Sequence, residues 1–358
     1  MKVALVYDRV NKWGGAERVL LSLHKIFPKA DLFTSVYSSE RAPWAKIFNI
    51  KTSFLQNIPK ASTSHGFLGT FMPLAFESFN FDKYDLVISV TSESAKGVIT
   101  KPKTLHICYC LTPTRYLWSG YKTYFKNTLF RLISLPFVAY LRKWDIIASF
   151  RPDKFVAISS EVQTRIKKYY QKDSQVIFPP LMLSDSKPTL PNEKDYYLIV
   201  SRLVPYKKID VAIKAFNELG FKLKIIGSGW DENKLKRIAK KNIQFIKNVS
   251  DGQLYGYYIN AKALIFPGSE DFGLAMAEAQ FFGKPVIAFR GGGALDIIKE
   301  GITGEFFNDQ TSDSLKRVLE KFNPKLYNDK LCRRNAERFS FINFKKSLLE
   351  FINKQQNI

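Results

Sequence analysis

The chain has 358 residues, of which 46% are hydrophobic and 24% charged, and carries a formal net charge of +23. That length exceeds what one hydrophobic core usually organises, so two globular domains are expected, and no apolar run reaches the ~20 residues of a membrane span. The opening MKVALVYDRV is too short in its apolar part for a signal peptide, which predicts a cytoplasmic protein.

The positive charge calls for an anionic partner, either a phosphate-rich ligand or an anionic membrane surface. Nucleic acid fits least, because no helix-turn-helix, zinc-finger spacing or RNP-like aromatic strand is present. Cys108, Cys110 and Cys332 are odd in number and lack metal-site spacing, so they read as small core residues.

In chain order, Val3–Tyr7 reads as a buried strand, Gly14-Gly15 as a loop and 16–27 as an amphipathic helix. Strands are expected again at 86–90, 105–109 and 154–158. Repeated strand-loop-helix units predict a parallel sheet covered by helices on both faces. The segment 119–154 interleaves Lys122, Lys126, Arg131, Arg142 and Lys143 with Tyr121, Tyr124, Phe125, Phe130, Phe137, Tyr140 and Trp144. Such a pattern suits a helix lying on anionic lipid, or a core-packed hairpin with a basic outer face. A second aromatic-rich stretch, 67–81, is expected to join that surface.

After Phe178, the run PPLMLSDSKPTLPNEKD breaks every periodicity and reads as a linker over 181–194. It separates a first domain, 1–180, from a second, 195–334. The second half restarts with Tyr196–Val200 as strand, SRLVPYKKID as loop and 211–219 as helix. Strands follow at Leu223–Ile226, Ile243–Ile246, 264–266 and Val286–Phe289. Two Rossmann-like α/β domains with parallel sheets facing across a cleft are the expected architecture. The last segment, 335–358, reads as helix interrupted near Phe339 and returning to the first domain.

In a parallel sheet all strand C-termini share one edge, where ligands bind. Arg202 and Lys207, Gly227 and Gly229, Val249 and Ser250, Glu270, and Gly291-Gly292-Gly293 each follow a predicted strand, so these loops should converge. Glu270 lies at a strand end and Glu278, eight positions on, inside an alanine-rich helix. A solvated helix face remains open for Glu278, but its crowded neighbours require a hydrogen-bonding partner for the carboxylate. An Arg fork and a Lys point charge together suit a diphosphate.

SRLVPYKKID, IIGSGW, NVSDGQL, PGSEDFGLAMAEA and GGGALDIIKEGITGEFF occur in the order seen in retaining glycosyltransferases of family 4, which have the GT-B fold. YDRVNKWGGAERVL resembles that family's N-terminal glycine loop, and RFSFINF its returning helix. CYCLTPTRYLW and the opening segment are most similar to bacterial mannosyltransferases of O-antigen and other cell-surface polysaccharides.

The resemblance implies catalytic roles for Arg202, Lys207 and Glu270, the cations on the nucleotide diphosphate and Glu270 on the transferred sugar. It implies donor-binding roles for Gly14, Gly15, Gly227, Gly229, Val249, Ser250, Phe272, Gly273, Leu274 and Glu278, with Glu278 on the ribose. Arg115 and Tyr116, in TPTRY, would line the acceptor side, with packing roles left open. The donor implied is a nucleotide sugar, GDP-mannose first, and the acceptor a glycan or lipid-linked oligosaccharide at the inner membrane face. No cofactor or metal is expected, and no Asp-x-Asp pair occurs. Relatives have His-Thr-Pro where this chain has Leu111-Thr112-Pro113, which implies a changed donor preference, such as a UDP-sugar or a deoxy sugar.

Two other classes share some of these features. A dinucleotide-dependent oxidoreductase would also contain Rossmann units, but Gly227-Ser-Gly229 lacks the third glycine of that fingerprint. A basic membrane- or nucleic-acid-binding protein without catalysis would explain the charge and leave the converging loops without a purpose.

Overall fold

A computed structural model describes residues 1–61, 68–124, 127–191 and 193–356. They divide into two units, one comprising Met1–Pro180 with Phe344–Ile358 and the other Leu181–Asn343.

The first unit is built on seven parallel strands: β1 (Val3–Tyr7), β2 (Asp31–Thr34), β3 (Asn49–Thr52), β4 (Leu86–Thr91), β5 (Leu105–Cys110), β6 (Lys154–Ala157) and β7 (Ser174–Val176). Their order across the sheet is β3-β2-β1-β4-β5-β6-β7. The central strands VALVY and LVISVT are buried at every residue, as a parallel strand covered on both faces requires. Sequence patterning did not reveal β2, β3 and β7. The two edge strands, NIKT and SQV, are polar and half exposed, and β2 is only four residues long. The Gly15–Ile26 helix covers the sheet with Val19, Leu20 and Leu23.

His106 on β5 is fully buried, with Nε2 2.9 Å from Ser89 Oγ on β4. Burial lowers its pKa to about 3, so the ring is neutral at ordinary pH. All three cysteines are buried free thiols.

Two surface expectations need correction. The stretch 67–81 is mostly core: Met72, Ala75, Phe76 and Phe81 are buried against Phe33 and Val87 of the sheet, leaving Phe71 and Leu74 exposed. The long helix Thr128–Ala148 does lie on the surface, but its outward face is apolar rather than alternately basic and aromatic. Leu132, Ile133, Leu135, Phe137, Tyr140 and Ile147 are exposed. Trp144 turns inward and donates to Glu77 Oε1 at 2.7 Å; Arg142 donates to Leu117 O at 2.7 Å and lies over the Tyr121 ring. Packing claims the guanidinium and indole because each finds an acceptor in a partly buried setting, Leu117 O and the Glu77 carboxylate. Phe67, Phe125 and Lys126 lie outside the described residues, as do the side chains of Lys122 and Phe130. Among the described residues no helix is long and apolar enough to cross a membrane.

The second unit contains six parallel strands: β8 (Tyr196–Val200), β9 (Leu223–Ile226), β10 (Ile243–Ile246), β11 (Ala261–Phe266), β12 (Val286–Phe289) and β13 (Gly304–Phe307), in the order β10-β9-β8-β11-β12-β13. β13 was not expected from GEFF, which has no β-branched residue; it is placed by close approach, since a Cβ on Gly304 would lie 2.0 Å from Val286 O. The Ile209–Leu219 helix buries Ile209, Ala212, Ile213 and Phe216 at i, i+3, i+4 and i+7 and stops at Gly220, whose φ of 70° ends a helix without steric cost. Residues 181–191 carry no helix or strand and are held to the Asp251–Asn260 helix: Thr189 N donates to Gly252 O at 2.8 Å and Ser184 N to Tyr255 Oη at 2.7 Å.

In each sheet the strand order reverses beside its first strand, between β1 and β4 and between β8 and β11. Loops leaving the carboxyl ends on either side of such a reversal diverge, which opens a crevice there.

Candidate functional site

The β8 and β11 loops bound the crevice of the second unit. The β8 loop carries Arg202 and Lys207; the β11 loop carries Glu270. Lys207 is 7% exposed and forms an ion pair with Glu270, whose side chain is 23% exposed. Arg202 is exposed and donates to the hydroxyl of Tyr206. The Tyr206 ring gathers both cations, with Lys207 Nζ 5.3 Å and the Arg202 guanidinium carbon 6.0 Å from its centroid. Sequence reasoning missed Tyr206; its place between the two cations in RLVPYK was the available signal.

Close backbone packing fixes these loops. Gly268 has no side chain to hold β11 off Lys207, whose Cα and O would lie 3.0 Å from a Cβ there. Gly293 N donates to Glu270 O at 2.8 Å, and a Cβ on Gly292, at φ 61°, would lie 2.3 Å from that oxygen. The three-glycine run therefore supports the Glu270 backbone. Gly227 and Gly229 do the same for the Arg202 loop: a Cβ at either would lie 1.9 Å from Ser201 O or 2.1 Å from Leu203 O, while Leu203 N donates to Ser228 O at 2.9 Å. Their local role is to pack the β9 loop along the β8 loop. Ser250 caps the Asp251–Asn260 helix in a reciprocal box with Gln253, so its hydroxyl already serves the backbone; Val249 before it is half buried.

Beyond Glu270, Phe272 is buried edge-on to Phe339, Gly273 opens the Leu274–Phe281 helix at φ 95°, and Leu274 begins its first turn. Glu278 sits one turn inside that helix, 4% exposed, and accepts from Tyr258 Oη at 2.8 Å. Part of the partnership that its crowded position demanded thus comes from Tyr258.

In the first unit, Gly14 takes an extended conformation before the Gly15–Ile26 helix. Glu17 in the first turn is 1% exposed and accepts from Tyr7 Oη at 2.6 Å. Arg115 and Tyr116 follow β5 and are half buried, and burial raises the Tyr116 hydroxyl well above its ordinary pKa. Leu111 is half buried and its N–H donates to Thr91 O at 2.8 Å. The β1–β4 crevice itself carries residues the sequence reading did not select: Asp8 and Arg9 after β1, and Glu93 after β4. Arg9 grips Glu93 with both guanidinium nitrogens, one contact being Nη1 to Oε1 at 3.2 Å. No sequence motif marks Glu93, because DRV and TSES are joined only when β4 pairs with β1.

The second unit thus offers a guanidinium, an ammonium and a carboxylate on one crevice, able to neutralise a diphosphate and accept from sugar hydroxyls. Residues 183–338 match the family model Glycosyl transferases group 1. An uncharacterized glycosyltransferase of Methanocaldococcus jannaschii is 29% identical over 184 residues, covering 49% of this chain and 51% of that protein. An alpha-1,3/1,6-mannosyltransferase of Dictyostelium discoideum, ALG2, is 24% identical over 46% of both chains. The chain spans about a third to a half of the length of the curated relatives it matches. Among solved structures, sucrose-phosphate synthase from Thermosynechococcus elongatus superposes with a TM-score of 0.77 at 16% identity over 100% of both chains. Anabaena HepE in complex with UDP-glucose gives 0.72 at 16%, over 99% of this chain and 100% of that one. The fold, two parallel-sheet α/β domains, is GT-B. The paired Lys207 and Glu270 fall inside the group 1 region.

Proposed function

We propose that this GT-B protein is a retaining, metal-independent glycosyltransferase that moves mannose from GDP-mannose to a glycan or lipid-linked oligosaccharide in cell-surface polysaccharide assembly. The observation carrying this reading is the Lys207–Glu270 pair on the β8–β11 crevice within the group 1 region. In the reaction, the bond from the sugar's anomeric carbon to the diphosphate oxygen breaks and a bond to the acceptor oxygen forms. The acceptor's proton passes to the departing phosphate. Lys207 and Arg202 stabilise the charge that grows on the diphosphate, an electrostatic contribution that is largest in the transition state. Glu270 orients the sugar through its hydroxyls, and Glu278, buried beside Tyr258, accepts from the ribose.

Mannose is supported by the sequence resemblance and by the mannosyltransferase among the relatives. A UDP-sugar is the second reading, favoured by the UDP-glucose complex of a protein of the same fold. Leu111, which can neither donate nor accept through its side chain, supports a shifted donor preference. The apolar outer face of Thr128–Ala148, on a chain of net charge +23, supports contact with an anionic membrane on the cytoplasmic side.

Thermal denaturation with added nucleotides tests the assignment. GDP or UDP should raise the melting temperature, whereas NAD and oligonucleotides should not. Glu278→Gln should chiefly weaken nucleotide binding and Glu270→Gln chiefly slow transfer; equal effects of both on binding alone would refute the division of roles. A lipid-linked acceptor predicts sedimentation with anionic vesicles over neutral ones, and no such preference would remove the membrane contact.

A further inference from the structure

We propose that Arg9 and Glu93 form a saccharide-hydroxyl clamp in the first unit, the subsite that holds the acceptor sugar. The proposal rests on the transferase reading above for the acceptor role, but the clamp is argued from the first unit alone.

The two residues lie at the carboxyl ends of β1 and β4, the strands between which the sheet order reverses. Their side chains are 19% and 20% exposed, so they are partly dried yet reachable. A fork-to-fork pair occupies two of the roughly four lone-pair directions of a carboxylate. The remaining directions at Glu93 can accept from neighbouring sugar hydroxyls. The guanidinium has further N–H groups for hydroxyl or ring oxygens.

A purely structural tie between the β1 and β4 loops is an inadequate account, because Asp8 already makes one. The Asp8 carboxylate is 5% exposed and accepts from Thr91 Oγ1, Ser92 N, Ser94 N and Ala95 N at 2.8–2.9 Å. Those bonds fix the backbone on both sides of Glu93, and Lys96 Nζ donates to Glu93 O at 2.6 Å. The backbone that presents Glu93 is therefore held while its side chain stays at the surface. Keeping a half-dry ion pair there is costly, since an apolar pair of similar size would usually pack as well or better. The cost is visible in Glu93, whose carboxyl is pushed above its ordinary pKa by burial and by Asp8, against the pull of Arg9.

The surroundings select a neutral polyol rather than an anion. The charges gathered here, Arg9 and Lys12 against Glu93 and Asp8, cancel and leave no excess for a phosphate, whereas the second crevice adds Arg202 to its Lys207–Glu270 pair; a diol satisfies donor and acceptor together. Lys12, whose charge also acts on Glu93, is followed by Trp13, which is 53% exposed and leans on Trp44 with ring centroids 6.1 Å apart. Trp44 Nε1 donates to Lys12 O at 2.8 Å, so the loop that carries this apolar ring is anchored. An exposed indole offers a flat surface to the C–H face of a sugar.

The test uses the full-length protein and methyl α-glycosides of mannose, glucose and galactose as probes, read by saturation-transfer NMR, with GDP and UDP affinities measured by calorimetry. At least one glycoside should receive saturation from the wild-type protein. Glu93→Gln and Arg9→Lys should each weaken that binding at least fivefold and leave nucleotide affinity within twofold. Absence of glycoside binding to the wild type, or unchanged binding in both variants, overturns the clamp. Failure of the wild-type protein to bind GDP or UDP while it binds glycoside, with that binding weakened in both variants, supports the clamp and counts against the donor reading alone. Should the variants fail to fold, carbodiimide labelling of the wild-type protein decides: glycoside should protect Glu93 from modification, and equal labelling with and without it overturns the proposal.

Discussion

The two sheets place a cation and a carboxylate at the same topological position but hold them by different means. In the first unit the cation, Arg9, follows β1 and the carboxylate, Glu93, follows β4; in the second, Lys207 follows β8 and Glu270 follows β11. Asp8 fixes the first pair of loops with one buried carboxylate that accepts from Thr91 Oγ1 and from the backbone N–H groups of Ser92, Ser94 and Ala95. The second pair is fixed by glycines at 268, 292 and 293, which let backbone meet backbone. A side-chain lock can be removed by truncating one residue, whereas a glycine lock responds only to added bulk. The difference makes the halves separately breakable.

The largest effect is expected at Lys207. Lys207→Ala leaves Glu270 without this cation and removes one of the two charges proposed to stabilise the diphosphate, so transfer should fall on the order of 10²–10³-fold. Arg9→Ala should spare nucleotide binding and act through the acceptor KM. Steady-state kinetics with donor and acceptor varied separately would expose a mistaken pairing of the two crevices if both variants changed the same parameter.

Asp8→Ala should cost about 3 kcal/mol, because it strands buried N–H groups at the β4 loop. Chemical denaturation followed by probes in each unit should show the loss in the first transition only. A uniform loss across both units would mean that the lock is not local.

Acid should also discriminate. The folded His106 has its pKa lowered to about 3 from an ordinary 6.5, so the unfolded chain binds the extra proton between those values. Its contribution to stability is therefore complete above about pH 6.5 and is lost as pH falls toward 3, with a limiting slope of ~1.4 kcal/mol per pH unit. All three histidines of the sequence, His24, His65 and His106, precede β6, so the first unit should soften before the second. His106→Gln should flatten the dependence in a pH series of melting curves.

The smallest effect is expected at Ser250. Ser250→Ala should destabilise its helix by about 1 kcal/mol through loss of the cap. Nucleotide affinity within twofold of wild type would confine the hydroxyl to the cap, and a larger drop would show that it also serves the donor-binding role the resemblance implies.

Much of the second unit was legible because its strands are short, mostly apolar runs bounded by polar or glycine-containing turns. YYLIV, LKII, IQFI and VIAF begin and end in the structure where their patterns do. Arg202, Lys207 and Glu270 could be gathered on one edge because a parallel sheet puts every strand's carboxyl end there. The first unit was less legible at its margins: NIKT and SQV become strands only by pairing with β2 and β6, and their own residues show no preference strong enough to announce it. Glu93 and Arg9 escaped notice for a related reason. They are 84 positions apart, and neither belongs to a run with a period.

Sequence alone therefore determined the repeated strand-loop-helix pattern, the identity of the second crevice's charged residues and the glycines beside them, since these follow from local hydrophobic period and turn chemistry. Tertiary structure decided what those residues touch. Pairing of β11 with β8 brought Glu270 to Lys207, pairing of β4 with β1 brought Glu93 to Arg9, and core packing turned Arg142 and Trp144 inward while leaving an apolar face outside. Such contacts depend on which strands become neighbours, a long-range choice made by burial of both sheet faces, and no local pattern carries it.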